Sequence, residues 1–355
     1  MTRRAWLIVA AVAFVGIPFA VRSDFWLSLA ALTGIAAIGA IGLNLILGYT
    51  GQLSVAQPIF LGTGAYVAAH LAMGLGLPMP LWLLGAGIAG GILGLLVGVL
   101  ALRFREHYLI VISIGLIFLG EHIFVNWTAL SGGLNGLNVD MPLALGPVDF
   151  GHMAFFGYTL SRNQSFFWLA WGLTAISVWL SANLIQSRPG RAMQAIRDRE
   201  IAASIVGIDP VSYKLGAFVV SSVYVSCAGA LLAAYTRYID PNQWDLTLAV
   251  QYLAMVVIGG SGTIAGPVIG AIFIGAVPAL TDHFASLLNI SSGSHSGLTV
   301  FALDQALFGV LIIYFLLREP RGLVAIGSSI ARHFPRFLTF RAAPKAAEKE
   351  SYAND

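Results

Sequence analysis

Polar side chains inside apolar runs are scarce in this chain, so each one is a candidate for chemistry. Glu121 and His122, Gln251, and Asp304 with Gln305 all sit within long hydrophobic stretches. A carboxylate beside an imidazole at bilayer depth is the equipment of a proton relay, and such charges usually face a bundle interior. A plainer reading stands beside it. Glu121 lies within about a turn of Asn126, and Asp304 lies about one turn from its helix start. Both positions suit the membrane interface, and the helix dipole favours an acidic Asp304 near an N-terminus. Little else offers reactivity. The dipeptide Gly-Lys never occurs, so the Gly-rich phosphate cradle is missing, and no His-Glu-x-x-His or Gly-x-Ser-x-Gly appears. The single cysteine, Cys227, has no disulfide partner and no metal-ligand companions. No nucleophile–base pair is evident, which argues against a membrane-embedded enzyme.

The elements that position these residues follow from composition. The chain is 58% hydrophobic and only 10% charged. A soluble domain carries about 25% charged residues, so the expected solvent is lipid. Apolar runs of about 20 residues, enough to cross it, recur at 5–21, 25–47, 55–75, 79–102, 107–125, 166–186, 214–235, 246–260, 263–283 and 300–317. The fold expected is all-α: a polytopic membrane bundle of about ten transmembrane helices, one transmembrane domain over 1–325, then a basic, disordered tail over 326–355. The first run is read as an uncleaved helix rather than a signal peptide, because Pro18-Phe19-Ala20 leads into no small-x-small cleavage site. Threading the runs from a cytoplasmic N-terminus places all 19 Lys and Arg on the cytoplasmic side except Arg22, Arg162 and Arg237. The positive-inside rule asks for that asymmetry, so both termini are read as cytoplasmic. The outer segment 128–165, rich in Gly, Asn and Pro, is expected to cap the outer face. Within the tail, 331–340 has the basic and aromatic residues to lie on an anionic leaflet; a tail that only fixes orientation is the alternative.

Two further patterns stand out. The cytoplasmic loop 187–213 is too polar to span. Its middle is rich in helix formers, and Gly207 with Asp209-Pro210 reads as the stop. Ala203 and Gly207, four apart, share a face in a helix. A small face rimmed by Arg197, Asp198, Arg199 and Glu200 suits docking into a groove on a partner. Elsewhere, glycines interrupt the apolar runs twice: at Gly48-Tyr49-Thr50-Gly51-Gln52-Leu53-Ser54, with Gln57 beyond, and at Gly259-Gly260-Ser261-Gly262. Paired breaks in separate halves point to a central pathway, since non-helical backbone at membrane depth survives only where protein or a water-filled cavity receives its polar groups. Close packing of small residues is the competing explanation.

These stretches resemble a known family. Ala202-Ala203, three residues, then Gly207 resembles the coupling loop of bacterial ATP-binding-cassette importer permeases. The usual pattern begins Glu-Ala-Ala, whereas here Ile201 separates Glu200 from Ala202. The wider run from Gly190-Arg191-Ala192 through Gly207-Ile208-Asp209 to Tyr213-Lys214-Leu215 is similar to the branched-chain amino acid (Liv-type) permeases. So are 42–66, 259–267 and Arg318-Glu319-Pro320-Arg321-Gly322-Leu323. Asn126-Trp127-Thr128 with Ser131-Gly132-Gly133 and Gly136-Leu137 resembles the M-type subunit rather than the H-type. The resemblance covers roughly 25–325, with a second departure: family members often carry Gly-His where this chain has Ala56-Gln57, which leaves the solute open. It implies an ATPase-coupling loop built on Gly190, Arg191, Arg197, Glu200, Ala202, Ala203, Gly207 and Asp209. The translocation path is then expected along Gly48, Tyr49, Gly51, Gln52, Ser54, Gln57, Gly259, Gly260 and Gly262. It further implies a bacterial inner-membrane location, an H-type partner permease, two cytoplasmic ATPases that use ATP and Mg, and an extracytoplasmic binding protein. No cofactor is expected on this chain. The rival reading is an ion-coupled secondary transporter.

Overall fold

The computed structural model describes residues 23–102, 108–145, 148–150, 154–155, 158–159 and 161–287, with short pieces at 16, 18, 309–310, 313–314 and 322–324. Most of the first and tenth apolar runs, Asp304, Gln305 and the tail 326–355 lie outside the described residues. The remaining apolar runs are helices: α1 Asp24–Thr50, α2 Gln57–Gly74, α3 Met79–Leu102 and α4 Leu109–Asn126. A single turn, α5 Thr128–Ser131, precedes α6 Arg162–Gln186. Two short helices, α7 Arg188–Asp198 and α8 Glu200–Ile205, lead into α9 Pro210–Thr236, α10 Leu246–Gly259 and α11 Gly266–Leu287. By length and composition α1, α3, α4, α6 and α9 are each able to cross a membrane, while α10 is shorter. The chain is a multi-pass helical membrane protein.

Lipid offers no hydrophobic drive between helices, so they associate through close packing of small residues. α1 and α9 show this best. Along α1, Gly34 lies against Ala170 and Trp171, Gly39 against Tyr252, Gly42 against the Ser221 carbonyl and Tyr224, and Gly48 against Gly262. One helix therefore touches α6, α9, α10 and the α10–α11 junction. The α3–α9 seam repeats every fourth residue: Gly90 on Ser226, Gly94 on Ser222 and Gly98 on Leu215. The opposite face of α3, with Leu84, Ile88, Ile92 and Leu96, is bare and is the face suited to lipid.

α2 is the irregular element. Ser226 Oγ donates to the Phe60 carbonyl at 2.9 Å, which sets the first turn of α2 level with the middle of α9. Gln52 Nε2 reaches the Lys214 carbonyl, at the start of α9, at 3.4 Å. Twelve residues of α9 separate those two levels, about 18 Å at 1.5 Å per residue. Residues 51–56 cover that height without helix, which suits an extended chain of up to about 20 Å. The chain comes down α1, turns at Gly51 in the left-handed region (φ 76°), and climbs back as a re-entrant non-helical strand of chain, outside any sheet, before α2 begins.

The ends of the bundle separate cleanly. One gathers the C-terminus of α1, the 187–209 loop and the break at 260–265. The other gathers the N-terminus of α6, where Arg162 donates to the Ala234 and Tyr235 carbonyls at 2.8 and 3.1 Å. There too 137–138 pairs antiparallel with 238–239. The long described helices alternate in direction. The 128–165 segment is more ordered than its composition suggests. It forms two more small hairpins, 144–145 with 148–149 and 154–155 with 158–159. It also buries Val139, Met141 and Leu143 and takes a hydrogen bond from Trp82 Nε1 to the Pro142 carbonyl.

A side chain at Gly229 would run into the Leu61 carbonyl, while one at Gly172 would meet nothing within 4 Å. Gly229→Val is therefore expected to destabilise the detergent-solubilised protein by about 1–3 kcal/mol, and Gly172→Val by far less. Equal thermal unfolding midpoints for the two variants would contradict this packing.

Candidate functional site

The polar loop expected as one helix is two helices with different tasks. α7 starts at a sharp corner. Ser187 is extended and its side chain accepts from the Gly190 amide at 3.5 Å, a helix N-cap. Gly190 is required there, because a Cβ would collide with the Leu184 and Ile185 carbonyls. Arg191 donates to the Gln186 carbonyl at 2.8 Å and pins the same corner. α7 buries Ala192, Met193 and Ile196 against the bundle. It ends at Arg199, whose extended backbone (φ −157°, ψ 95°) breaks the helix that the run of good helix formers would otherwise continue. The break lets neighbouring charges turn opposite ways. Arg197 points to α1, and Glu200 binds Lys214 Nζ of α9 at 2.8 Å.

α8 then presents a bare apolar surface. Ile201, Ile205 and Val206 are 79%, 81% and 81% exposed, beside the exposed charges Asp198 and Arg199. Large β-branched side chains this exposed, next to fixed charge, form a candidate contact surface. Ala203 faces the other way and is buried, while Ala202 is exposed. Of the small face read from the sequence, Ala203 is thus buried within the chain itself, and the large apolar residues around it are exposed. Gly207 is not on that face. It ends α8 in the left-handed region (φ 89°), with the Ile208 amide bonded back to the Ala203 carbonyl at 3.0 Å, a Gly-terminated stop. A Cβ at Gly207 would meet nothing within 4 Å, so conformation rather than space selects glycine.

Asp209 caps α9. Its carboxylate accepts from Ser212 Oγ at 2.5 Å and from the Val211 and Ser212 amides at 3.2 and 3.4 Å. The Ser212 hydroxyl, followed by those amides, holds the Asp209 carboxyl below its ordinary value.

The two glycine-rich breaks meet directly above α7. Gly48 belongs to the last turn of α1, whose carbonyls have no helical partners. Arg197 Nη1 donates to the Gly48 carbonyl at 2.7 Å, while Asp198 Oδ1 holds the same guanidinium through Nε at 3.1 Å and Nη2 at 3.0 Å. Four residues before Gly48, Asn44 is buried and faces the second break. Its Oδ1 accepts from the Gly262 amide at 2.9 Å, and its Nδ2 donates to the Thr263 carbonyl at 2.8 Å. Gly260 and Gly262 have φ of 116° and 74°, and Gly322 packs on Gly260. The re-entrant strand is paired as well. The Val55 amide donates to Ser113 Oγ of α4 at 3.2 Å, and Gln52 Nε2 binds Thr50 Oγ1 at 3.1 Å. Tyr49, Gln52, Ser54 and Gln57 are all buried, Gly51 and Leu53 are exposed, and Gln57 Oε1 has no hydrogen-bond partner among the described residues.

The structure therefore brings Gly48, Gly51, Gly260, Gly262 and Arg197 into one junction and places Ser54 and Gln57 deeper along the strand. Glu121 and His122 lie apart, on the far half of α4, where the Asn126 amide donates to the His122 carbonyl at 2.8 Å and lies 3.2 Å from the His122 ring. Three contributors escaped sequence reasoning: Asn44, Ser113 and the buried Lys214. Asn44 had a signal, as the one side-chain amide in the 25–47 run. Ser113 had none, since a serine inside an apolar helix normally bonds its own preceding turn.

A family model described as the permease component of a branched-chain amino acid transport system matches residues 25–316. The LivM permease protein of the Escherichia coli high-affinity branched-chain amino acid transport system is 31% identical over 332 residues, 90% of this chain and 73% of that protein. The probable LivM of Methanocaldococcus jannaschii is 24% identical over 88% of this chain and 86% of its own length. The LivH permease of Escherichia coli is 28% identical over 70% of this chain and 82% of its own. No solved structure matches the chain significantly.

The Asp209 cap carries a pH signature. Because its folded-state pKa is depressed, its contribution is complete above the ordinary aspartate range and is lost as pH falls through the lowered value. Asp209→Asn is expected to keep the cap in acid, whereas Asp209→Ala should lose it at neutral pH. Amide protection at Val211 and Ser212, measured by hydrogen exchange, separates the three.

Proposed function

The chain belongs to the branched-chain amino acid transport permease family, and from that premise we propose that it is the M-type membrane subunit of an ATP-binding-cassette importer carrying branched-chain amino acids. It is a transport component, not an enzyme. The importer is completed by an H-type permease, two cytoplasmic ATPases that bind ATP and Mg, and an extracytoplasmic binding protein. The chain sits in a bacterial inner membrane with about ten spans and both termini inside. The greater identity with LivM than with LivH of Escherichia coli, over a larger share of this chain, supports the M-type assignment.

The observation that carries the reading is the exposed triad Ile201, Ile205 and Val206 on α8. It stands at the end of the bundle that gathers the basic loop, where an ATPase would dock. ATP-driven closure of the ATPases pushes α7 and α8, and the two permeases switch between outward-open and inward-open arrangements as packed rigid bodies. The re-entrant strand 51–56 and the start of α2 form this chain's share of the path. Non-helical backbone at that depth, together with the Gln57 acceptor that has no partner among the described residues, supports a polar interior. The separation of Glu121 and His122 from this junction gives no support to an ion-coupled mechanism.

Ile201→Asp with Ile205→Asp tests the docking face. Each isoleucine is worth roughly 1.5–3 kcal/mol when buried, so recovery of ATPase subunits with the purified permease should fall at least tenfold while membrane insertion persists. Undiminished recovery would remove α8 as the docking element. Gln57→Leu should lower solute uptake without lowering thermal stability, because it removes a buried acceptor that lacks a partner. Full uptake in that variant would place the path elsewhere.

A further inference from the structure

We propose that Arg197 and Asn44 form a latch that hands displacement of the coupling helices to both glycine-rich breaks at once; this rests on the importer reading above. The argument begins with orphaned backbone. The Gly48 carbonyl lies in the last turn of α1, and the amide that would have bonded it in a continuing helix, that of Gln52, bonds the Ile46 carbonyl at 3.3 Å instead. Arg197 of α7 supplies the missing donor at 2.7 Å. This is a charge-assisted bond at a helix C-terminus, where a cation is also favoured by the dipole. Asp198 grips two other nitrogens of the same guanidinium, so the fork is held in orientation.

Asn44 completes the connection. It lies one turn before Gly48 on the same face of α1, and its amide group engages donor and acceptor of the second break in a two-point clasp. Glycine at 48 is what permits this. A Cβ there would occupy the space of the Asn44 amide oxygen and the Gly262 amide. Gly262 likewise has no room for a side chain, since one would press on Arg197 Nη1 at 2.7 Å and the Gly48 carbonyl at 3.0 Å. Coupling helix, α1 terminus and α10–α11 break thus meet through directional polar bonds. The other polar contacts of α7 with the bundle run back to the end of α6, from Arg191 to the Gln186 carbonyl and from Gln194 to the Ile185 carbonyl, and its buried Ala192, Met193 and Ile196 are apolar, so the link toward the two breaks is the one made by Arg197 and Asn44. The docking face on α8 is a separate set of side chains, so binding an ATPase and transmitting its stroke are separable.

Arg197 and Asn44 act here as positioning residues. The test uses the complete four-component importer in proteoliposomes, following radiolabelled leucine uptake and ATP hydrolysis together. In Arg197→Met, leucine taken up per ATP should fall at least tenfold, with ATPase subunits still recovered. Arg197→Lys, which restores a charged donor, should stay within about threefold of the unmodified transporter. The double variant Arg197→Met with Asn44→Ala should be no worse than the poorer single variant, because both cut one link. A purely structural role would lower both rates together and leave the ratio unchanged. An unchanged ratio in Arg197→Met overturns the latch, and so do equal losses in the Met and Lys variants. An unmodified chain that recovers no ATPase subunit overturns the importer reading and the latch with it.

Discussion

Backbone amides and carbonyls at membrane depth have no water to bond, and much of this architecture follows from that single constraint. The chain leaves helical geometry twice inside the bundle, at 51–56 and at 260–265. Each departure exposes polar backbone that must find partners on another element. Ser113 of α4 serves the first, and Asn44 of α1 serves the second. Arg197 serves the α1 terminus where the first departure starts. None of these partners is local in sequence to the group it satisfies. The breaks are therefore stable only when α1, α4, α7 and the α10–α11 junction are assembled together, and a shift of one is felt by the rest.

Such a junction needs close approach, which explains where the glycines are. Along α1 they recur at each contact with a neighbour, so an aromatic side chain such as Tyr252 or another backbone can come in against the helix axis. The seam between α3 and α9 uses Gly on one helix and Ser on the other, and Ser222 and Ser226 bond backbone carbonyls at 2.8 and 2.9 Å, so neither carries an idle hydroxyl into the apolar seam. Close packing brings short polar side chains within reach of backbone on the next helix. Packing and polar satisfaction are thus one requirement here, not two.

The helices themselves were legible because hydropathy dictates them, and the two breaks were legible because glycine clusters interrupt apolar runs. What was not legible is which neighbour each residue would meet. Ala203 is small, and smallness permits close approach, but the sequence cannot say whether a partner or the chain itself does the approaching; Ala203 is buried within the chain. The helix end at Arg199 was hidden because Arg197, Asp198, Arg199 and Glu200 are all acceptable inside a helix. The backbone turns there to let Arg197 and Glu200 face different partners, a tertiary demand that local propensity does not carry. The small hairpins between 137 and 159 were invisible for a similar reason. Strands of two residues have no periodicity, and one of them pairs with residues about a hundred positions away.

The distribution of positive charge gains a second meaning from these contacts. Arg197 and Lys214 stand on the basic side of the bundle, and a topology rule alone would leave them as exposed labels of orientation. Instead, Arg197 binds a helix-terminal carbonyl and Lys214 is buried against Glu200. On the opposite end Arg162 does a comparable task, donating to the last carbonyls of α9 while lying 5.9 Å from the Phe166 ring centroid. Arginine suits these places because its fork reaches several acceptors at once and sheds water more readily than an ammonium. A cation at a helix C-terminus near the interface satisfies the backbone and the dipole together. It follows that these charges are part of the joinery at both faces. Moving the basic end of the bundle moves the helix termini that its arginines hold.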